Sequence, residues 1–268
     1  MTDILRRDMA PVADGAWREI ELQSARILRG NLSGRKVVDV CGPHGWAFAA
    51  VNLGRLELAD GPAAGGVDWG LHQVQPLLEF RVPFSLGIWG LDDVERGARN
   101  PDLAALTAAA RRVAAFEESA IYRGFGPGGI PGMLAASSHA PVPLSRERGQ
   151  FTESVELALL AIQEAEIGGP YALVLGSEPF KWLMAGEPQA YPLRKRIQAL
   201  VTGGIHWSPV LQGGAVVSRR GGDFELTVGQ DLTIGYQRHT AKEVELYYTE
   251  SFTFRVLEPA AAAELRLT

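Results

Sequence analysis

The chain has 268 residues, 46% hydrophobic and 21% charged, a balance that excludes a disordered polypeptide and leaves length for one large or two modest domains with a sizeable core. Its formal net charge of −5 gives no support to nucleic-acid binding, which shows as a basic excess or stripe. A single cysteine, Cys41, excludes an intrachain disulfide framework and a multi-cysteine zinc site, and no window holds the roughly 18 apolar residues of a membrane-spanning helix.

The first residues, MTDILRRDMAPVADG, lack the continuous apolar core of a secretion signal, so a cytoplasmic location without membrane association is expected. A helix is predicted from near Asp14, with Trp17, Ile20, Ser24, Ile27 and Leu28 at helical spacing on one face. Residues 34–40 read as a short strand ended by Gly42, Pro43 and Gly45. From 52 to 86 strands alternate around the tip GPAAGG; in the last of them (residues 77–86) Pro83 marks an edge or an unpaired position. Such a long two-stranded excursion is marginal alone in water and should pack on another subunit or sheet. Asn100, Pro101 and Asp102 have the chemistry of a helix start, and the helix should run to Arg123 with Leu103, Leu106, Ala110, Val113 and Ile121 near one face. Residues 137–150 read as a polar linker into a second domain. A compact unit of alternating helices and strands follows, with helices at 151–167, 179–184 and 192–202 and strands at 171–175, 205–208 and 215–218. From Arg219 to Val256 apolar residues fall on every second position in four segments, which reads as an antiparallel meander: Phe224, Leu226, Val228; Leu232, Ile234, Tyr236; Val244, Leu246, Tyr248; Phe252, Phe254, Val256. A further short strand should follow Pro259.

Signals for catalysis are weak. The five histidines show no metal-ligand spacing, the glycine-rich stretch at 124–132 lacks the Gly-Lys-Ser/Thr ending of a phosphate loop, and no Gly-x-Ser-x-Gly elbow occurs. Cys41 reads as a structural thiol. The acidic groups Asp92-Asp93 with Glu95, and Glu117-Glu118, read as solvated or intersubunit ion pairs, because acid/base work needs carboxylates held across a cleft. Arg35 and Asp39 share the parity of Val37 on the expected strand, so they can pair with each other or present polar contacts beside an apolar groove. Trp89, in a bend between Gly87 and Gly90, reads as an aromatic packed at a domain or subunit contact.

The segments GRKVVDVCGPHGWAFA (residues 34–49), LDDVERGARNPDL (91–103), RGGDFELTVGQDLTIGY (220–236) and TESFTFRVLEP (249–259), in this order, closely resemble the encapsulins, with the likeness running from residue 5 to about 259. The resemblance implies an α+β, tailed-bacteriophage major-capsid-like fold with a peripheral domain, an axial domain and an extended loop. It divides the chain into an amino-terminal arm and helix with the start of the peripheral domain (1–50), the extended loop arm (51–86), the peripheral domain with its spine helix (87–136), the axial domain (137–218) and the peripheral sheet return (219–268).

The resemblance further implies a non-enzymatic shell protomer that assembles into a closed icosahedral homo-oligomer, about 60 copies for the smallest shell. This cytoplasmic nanocompartment would enclose a cargo protein, a dye-decolorising peroxidase or a ferritin-like protein, through its carboxy-terminal targeting peptide. By the same likeness the peptide groove would use Ile27, Leu28 and Ile234, with Arg35, Asp39 and Asp231 at its polar edge, and Gly186, Glu187, Pro188, Gln189, Ala190 and Tyr191 would line a five-fold pore. Arg81 and Trp89 correspond to positions where some family members bind a flavin; no metal is implied. Two other functions set against this are a hydrolase of bacteriocin or protease type, for which no catalytic constellation is found, and a phage capsid that packages DNA, which the acidic balance opposes.

Overall fold

The computed structural model describes residues 4–63, 65–185 and 192–268. The chain opens with α1 (Asp14–Asn31), passes through a 3-10 turn (Gly34–Lys36) into β1 (Asp39–Cys41), and runs out and back along β2 (Ala50–Leu58) and β3 (Gly70–Pro76). β4 (Leu78–Gly87) leads into α2 (Ile88–Glu95) and α3 (Ala104–Arg123). After β5 (Val142–Leu144) come α4 (Arg148–Glu164), β6 (Tyr171–Leu175), α5 (Ser177–Met184), α6 (Leu193–Leu200), β7 (Gly204–Trp207) and β8 (Gly214–Ser218). β9 (Phe224–Val228), β10 (Thr233–His239), β11 (Glu243–Val256) and β12 (Ala262–Leu267) end the chain.

Two sheets and a hairpin result. The first has the order β1-β9-β11-β10, with β4 also on β11; the second has the order β5-β12-β8-β6-β7; β2 and β3 pair only with each other. β11 is the axis of the first sheet. Phe252 pairs with both Leu78 and Val228, and residues 244–249 pair with both β4 and β10, so β9 and β10 line one edge of β11 and β4 the other. The expected meander is therefore corrected: its third and fourth segments are one 14-residue strand. The physical reason is visible in Thr249, Glu250 and Ser251, a stretch without glycine, proline, asparagine or aspartate, and in the unbroken parity from Val244 to Phe254.

Other expectations shift in smaller ways. Residues 34–40 do not form a strand throughout; the 3-10 turn takes the first part because side chains of α3 hold it, as described below. The third helix begins at Ala104, after the Asn-Pro-Asp signal, and Asp102, one residue ahead of the N-cap Leu103, accepts from the Ala104 amide at 3.0 Å. Trp89 lies in the first turn of α2 and not in a bend, and within the single chain it is 73% exposed. The tail after Pro259 does form a strand, but β12 pairs with β5 and β8, so the carboxy terminus joins the second sheet and not the 219–268 return. Pro83 stands where its missing amide does no harm, on β4 at the margin of the first sheet opposite Tyr247.

α3 ties the two halves together. Leu106, Ala109, Ala110, Val113 and Ala114 pack with α1, β4, β10 and β11, while Ala120, Ile121 and Tyr122 pack with α4, the second sheet, β9 and the end of β11. The helix stops where Gly124 adopts φ +90° with its α-carbon so close to Pro131 that a side chain would collide with the Pro131 carbonyl. Among the described residues no helix is long and apolar enough to cross a membrane.

Candidate functional site

The inward stripe of α1 repeats every turn through Ile20, Ser24 and Leu28, and Leu32 extends it just past the helix end. Where this stripe leaves the sheet, a groove of about 580 Å³ opens between Ala25, Leu28, Arg29 and Leu32 of α1, Arg35 and Lys36 of the 3-10 turn, and Asp231 and Leu232 ahead of β10. Its floor is apolar and its rim charged. Such a trough suits an extended apolar peptide.

Of the groove residues expected from sequence, the structure brings together Leu28, Arg35 and Asp231. Ile234 is buried beneath them among Tyr236, Leu246 and Tyr248, and Ile27 packs at the margin of the same core. Asp39 lies elsewhere: it accepts from the Gly222 amide at 2.6 Å and lines a separate small cleft with Val37, Arg219 and Asp223. The strand parity that linked Arg35 with Asp39 fails because Arg35 sits on a 3-10 turn. The expected pore loop, residues 186–191, lies outside the described residues.

Arg35 is occupied from within. Its Nε donates to both oxygens of Glu117 at 2.9 and 3.0 Å, Nη2 donates to Glu117 and to Glu250 at 2.6 Å each, and Nη1 donates to Asp231 at 2.8 Å. Glu117 and Glu250 have no exposed surface. Burial works against the charged guanidinium, yet the hydrogen bonds and charge of Glu117, with Glu250 and Asp231, hold Arg35 more firmly protonated than usual. Burial, then the charge of Glu117, pushes Glu250 well above the carboxylate range despite Arg35. One oxygen, Oε2, is buried with no hydrogen-bond partner.

The adjacent Glu118 holds the same turn from its other side. It accepts from the hydroxyls of Ser33 and Ser208, the latter at 2.9 Å, and from the Gly34 amide at 2.6 Å; Ser33 also meets the Tyr122 hydroxyl at 2.9 Å. Burial raises Glu118 to about 7, against the opposing pull of these three donors. Glu117-Glu118 is thus a correction to the expected solvated pair: both carboxylates are sealed in. Sequence reasoning missed Glu250 as well, although it shares the inward parity of Tyr248 and Phe252. By contrast, Asp92 and Asp93 are exposed and pair with Arg96, as read.

Trp89 and Arg81 do not meet within one chain. Arg81 lies on β4 with its guanidinium 4.7 Å from the Tyr247 ring, and the six strand steps from there to Gly87 span roughly 20 Å. Trp89 is largely exposed, with the Arg96 guanidinium 6.0 Å from its ring centre. The two residues therefore do not compose a flavin site in the single chain.

A family model described as encapsulating protein for peroxidase matches residues 1–253. The type 1 encapsulin shell protein of Rhodospirillum rubrum is 42% identical over 272 residues, covering 99% of this chain and 97% of that protein. Among solved structures, the virus-like particle from Pyrococcus furiosus superposes with a TM-score of 0.68 at 17% identity, over 93% of this chain and 99% of that one. A structure titled Mycobacterium phage Bobi superposes with a TM-score of 0.58 at 13% identity, over 89% and 91% of the two chains. The fold is the major-capsid fold.

Proposed function

The chain belongs to the family of encapsulating proteins, as a structural shell protein and not an enzyme, and we propose that its copies close into an icosahedral compartment in the cytoplasm that holds a cargo protein by its carboxy-terminal tail. The observation that carries this reading is the hairpin. Leu56, Leu58, Val67, Trp69, Leu71 and Val74 are all at least half exposed on β2, β3 and the turn between them, and among the described residues no third strand covers them. A soluble ribbon keeps so many large apolar groups only when another surface takes them up, and further copies are the occupants a capsid fold provides.

The smallest closed icosahedral shell, about 60 copies, suits a chain of this length. The groove then faces the interior and receives an apolar segment over Ala25, Leu28, Leu32 and Leu232. A peroxidase is the guest favoured by the family description; a ferritin-like protein is the other. Size-exclusion chromatography with electron microscopy tests the shell, where a lone protomer under mild buffer sinks the reading. Co-expression with a tailed guest tests the groove: Leu232→Glu should abolish loading while shells still form, and unchanged loading would reject it. Ile234 is unsuitable for that test, since a charge there damages the core. The residues 186–191 are assigned to the pore on the same footing, and a flavin on Trp89 would require Arg81 from a second copy. Shells whose visible flavin absorbance survives Trp89→Ala would reject that last assignment.

A further inference from the structure

α4 rests on the second sheet through Phe151, Val155, Ala158, Leu159 and Ile162. Its opposite face is a continuous stripe at three- and four-residue spacing, where Leu157 and Leu160 are each 48% exposed and are flanked by the exposed Glu153, Glu156 and Glu164. The chain itself leaves these two leucines about half uncovered. α6 packs beside α4 with Leu193 and Ile197 turned inward, and Arg194, Lys195 and Arg196 turned out. The helices touch, yet among the described residues none of the three acids pairs with any of the three bases. Among the described residues Arg194 donates to the Met184 sulfur, at 3.7 Å. Opposite charges that lie on neighbouring helices and do not meet each other are free for a second molecule.

We propose that the open face of α4 docks on α6 of a second copy of this chain, with Leu157 and Leu160 at the dry centre and Glu153, Glu156 and Glu164 paired at the rim with Arg194, Lys195 and Arg196. This rests on the shell reading above. The contact joins two different surfaces, the type that closes into a ring when each copy is rotated by the same angle. Rim charges set register and encounter more than affinity, so the contact is salt-sensitive.

The test is a charge swap, read as the fraction of protein in particles by light scattering across a salt series at fixed concentration. Arg194→Glu with Arg196→Glu, and separately Glu153→Arg with Glu156→Arg, should each raise the protein concentration needed for assembly at least about tenfold at low salt, the scale of several opposed rim charges acting together. The four changes combined should restore most of the loss. All four positions are exposed, so circular dichroism should show intact folding in every variant. Assembly unchanged by either pair, or no better in the combination, overturns the proposal while the shell reading stands. Variants that assemble normally but lose their guest place the face toward cargo and also overturn it. A wild-type chain that never assembles removes the shell reading, and this contact with it.

Discussion

The turn beneath the groove and the hairpin arm solve opposite problems. At the turn, one guanidinium, three fully buried carboxyls and two serine hydroxyls are gathered and bonded to one another, with one Glu250 oxygen left over. In the arm, leucines, two valines and a tryptophan are left at least half exposed by the described residues. The first region is complete within a single chain, because a buried charge without partners costs several kcal/mol. The second is complete only in an assembly. Shell formation should therefore respond to the arm, and protomer stability to the turn.

The most damaging single change should be Arg35→Ala, which strands Glu117 and Glu250 in the interior. Chemical denaturation should show a loss of about 3–5 kcal/mol, and a loss below about 1 kcal/mol would mean the acids are relieved by protonation alone. Next is pH. Glu118 is raised by burial from 4.5 to about 7, so the folded chain holds this proton more tightly than the unfolded one. Its contribution is fully present below 4.5 and is lost as pH rises through about 7. Stability should fall by up to about 3 kcal/mol between pH 5 and pH 8, and Glu118→Gln should flatten that slope. Glu225 and Glu264, held low by Arg255 and by Arg123 with Arg266 against the penalty of burial, act the other way, but only as pH drops below that range.

The arm should behave in reverse. Leu58→Ser with Trp69→Ser should leave protomer stability within about 0.5 kcal/mol, as expected for exposed sites, while particles vanish from size-exclusion profiles. A large loss of protomer stability would show that the arm packs on its own chain. Smallest of all, Arg238→Ala removes an exposed ion pair with Glu245 and should change denaturation by at most about 0.5 kcal/mol.

Local pattern made much of this legible. The strand at 171–175, the helix from Asp14 and the edge role of Pro83 all follow from spacing and turn chemistry read over a few residues. The groove was half legible: Leu28 and Asp231 line it, Ile234 is one layer too deep, and Asp39 turns to the Gly221-Gly222 loop. Glu250 offered a signal that was there to use. It shares the parity of Val244, Leu246, Tyr248, Phe252 and Phe254, which all face inward on one strand.

What the amino-acid order determined by itself was periodic: which face of each helix and strand is apolar, where turns fall, and which family the motifs resemble. Periodicity depends on neighbours a few positions away, so a linear reading suffices. Only the tertiary structure decided that Arg35 would meet Glu117 and Glu250, 82 and 215 residues further on, and that β12 would cross to the second sheet. Whether a charge lies in water or in the core depends on what is packed around it, and those groups come from distant parts of the chain.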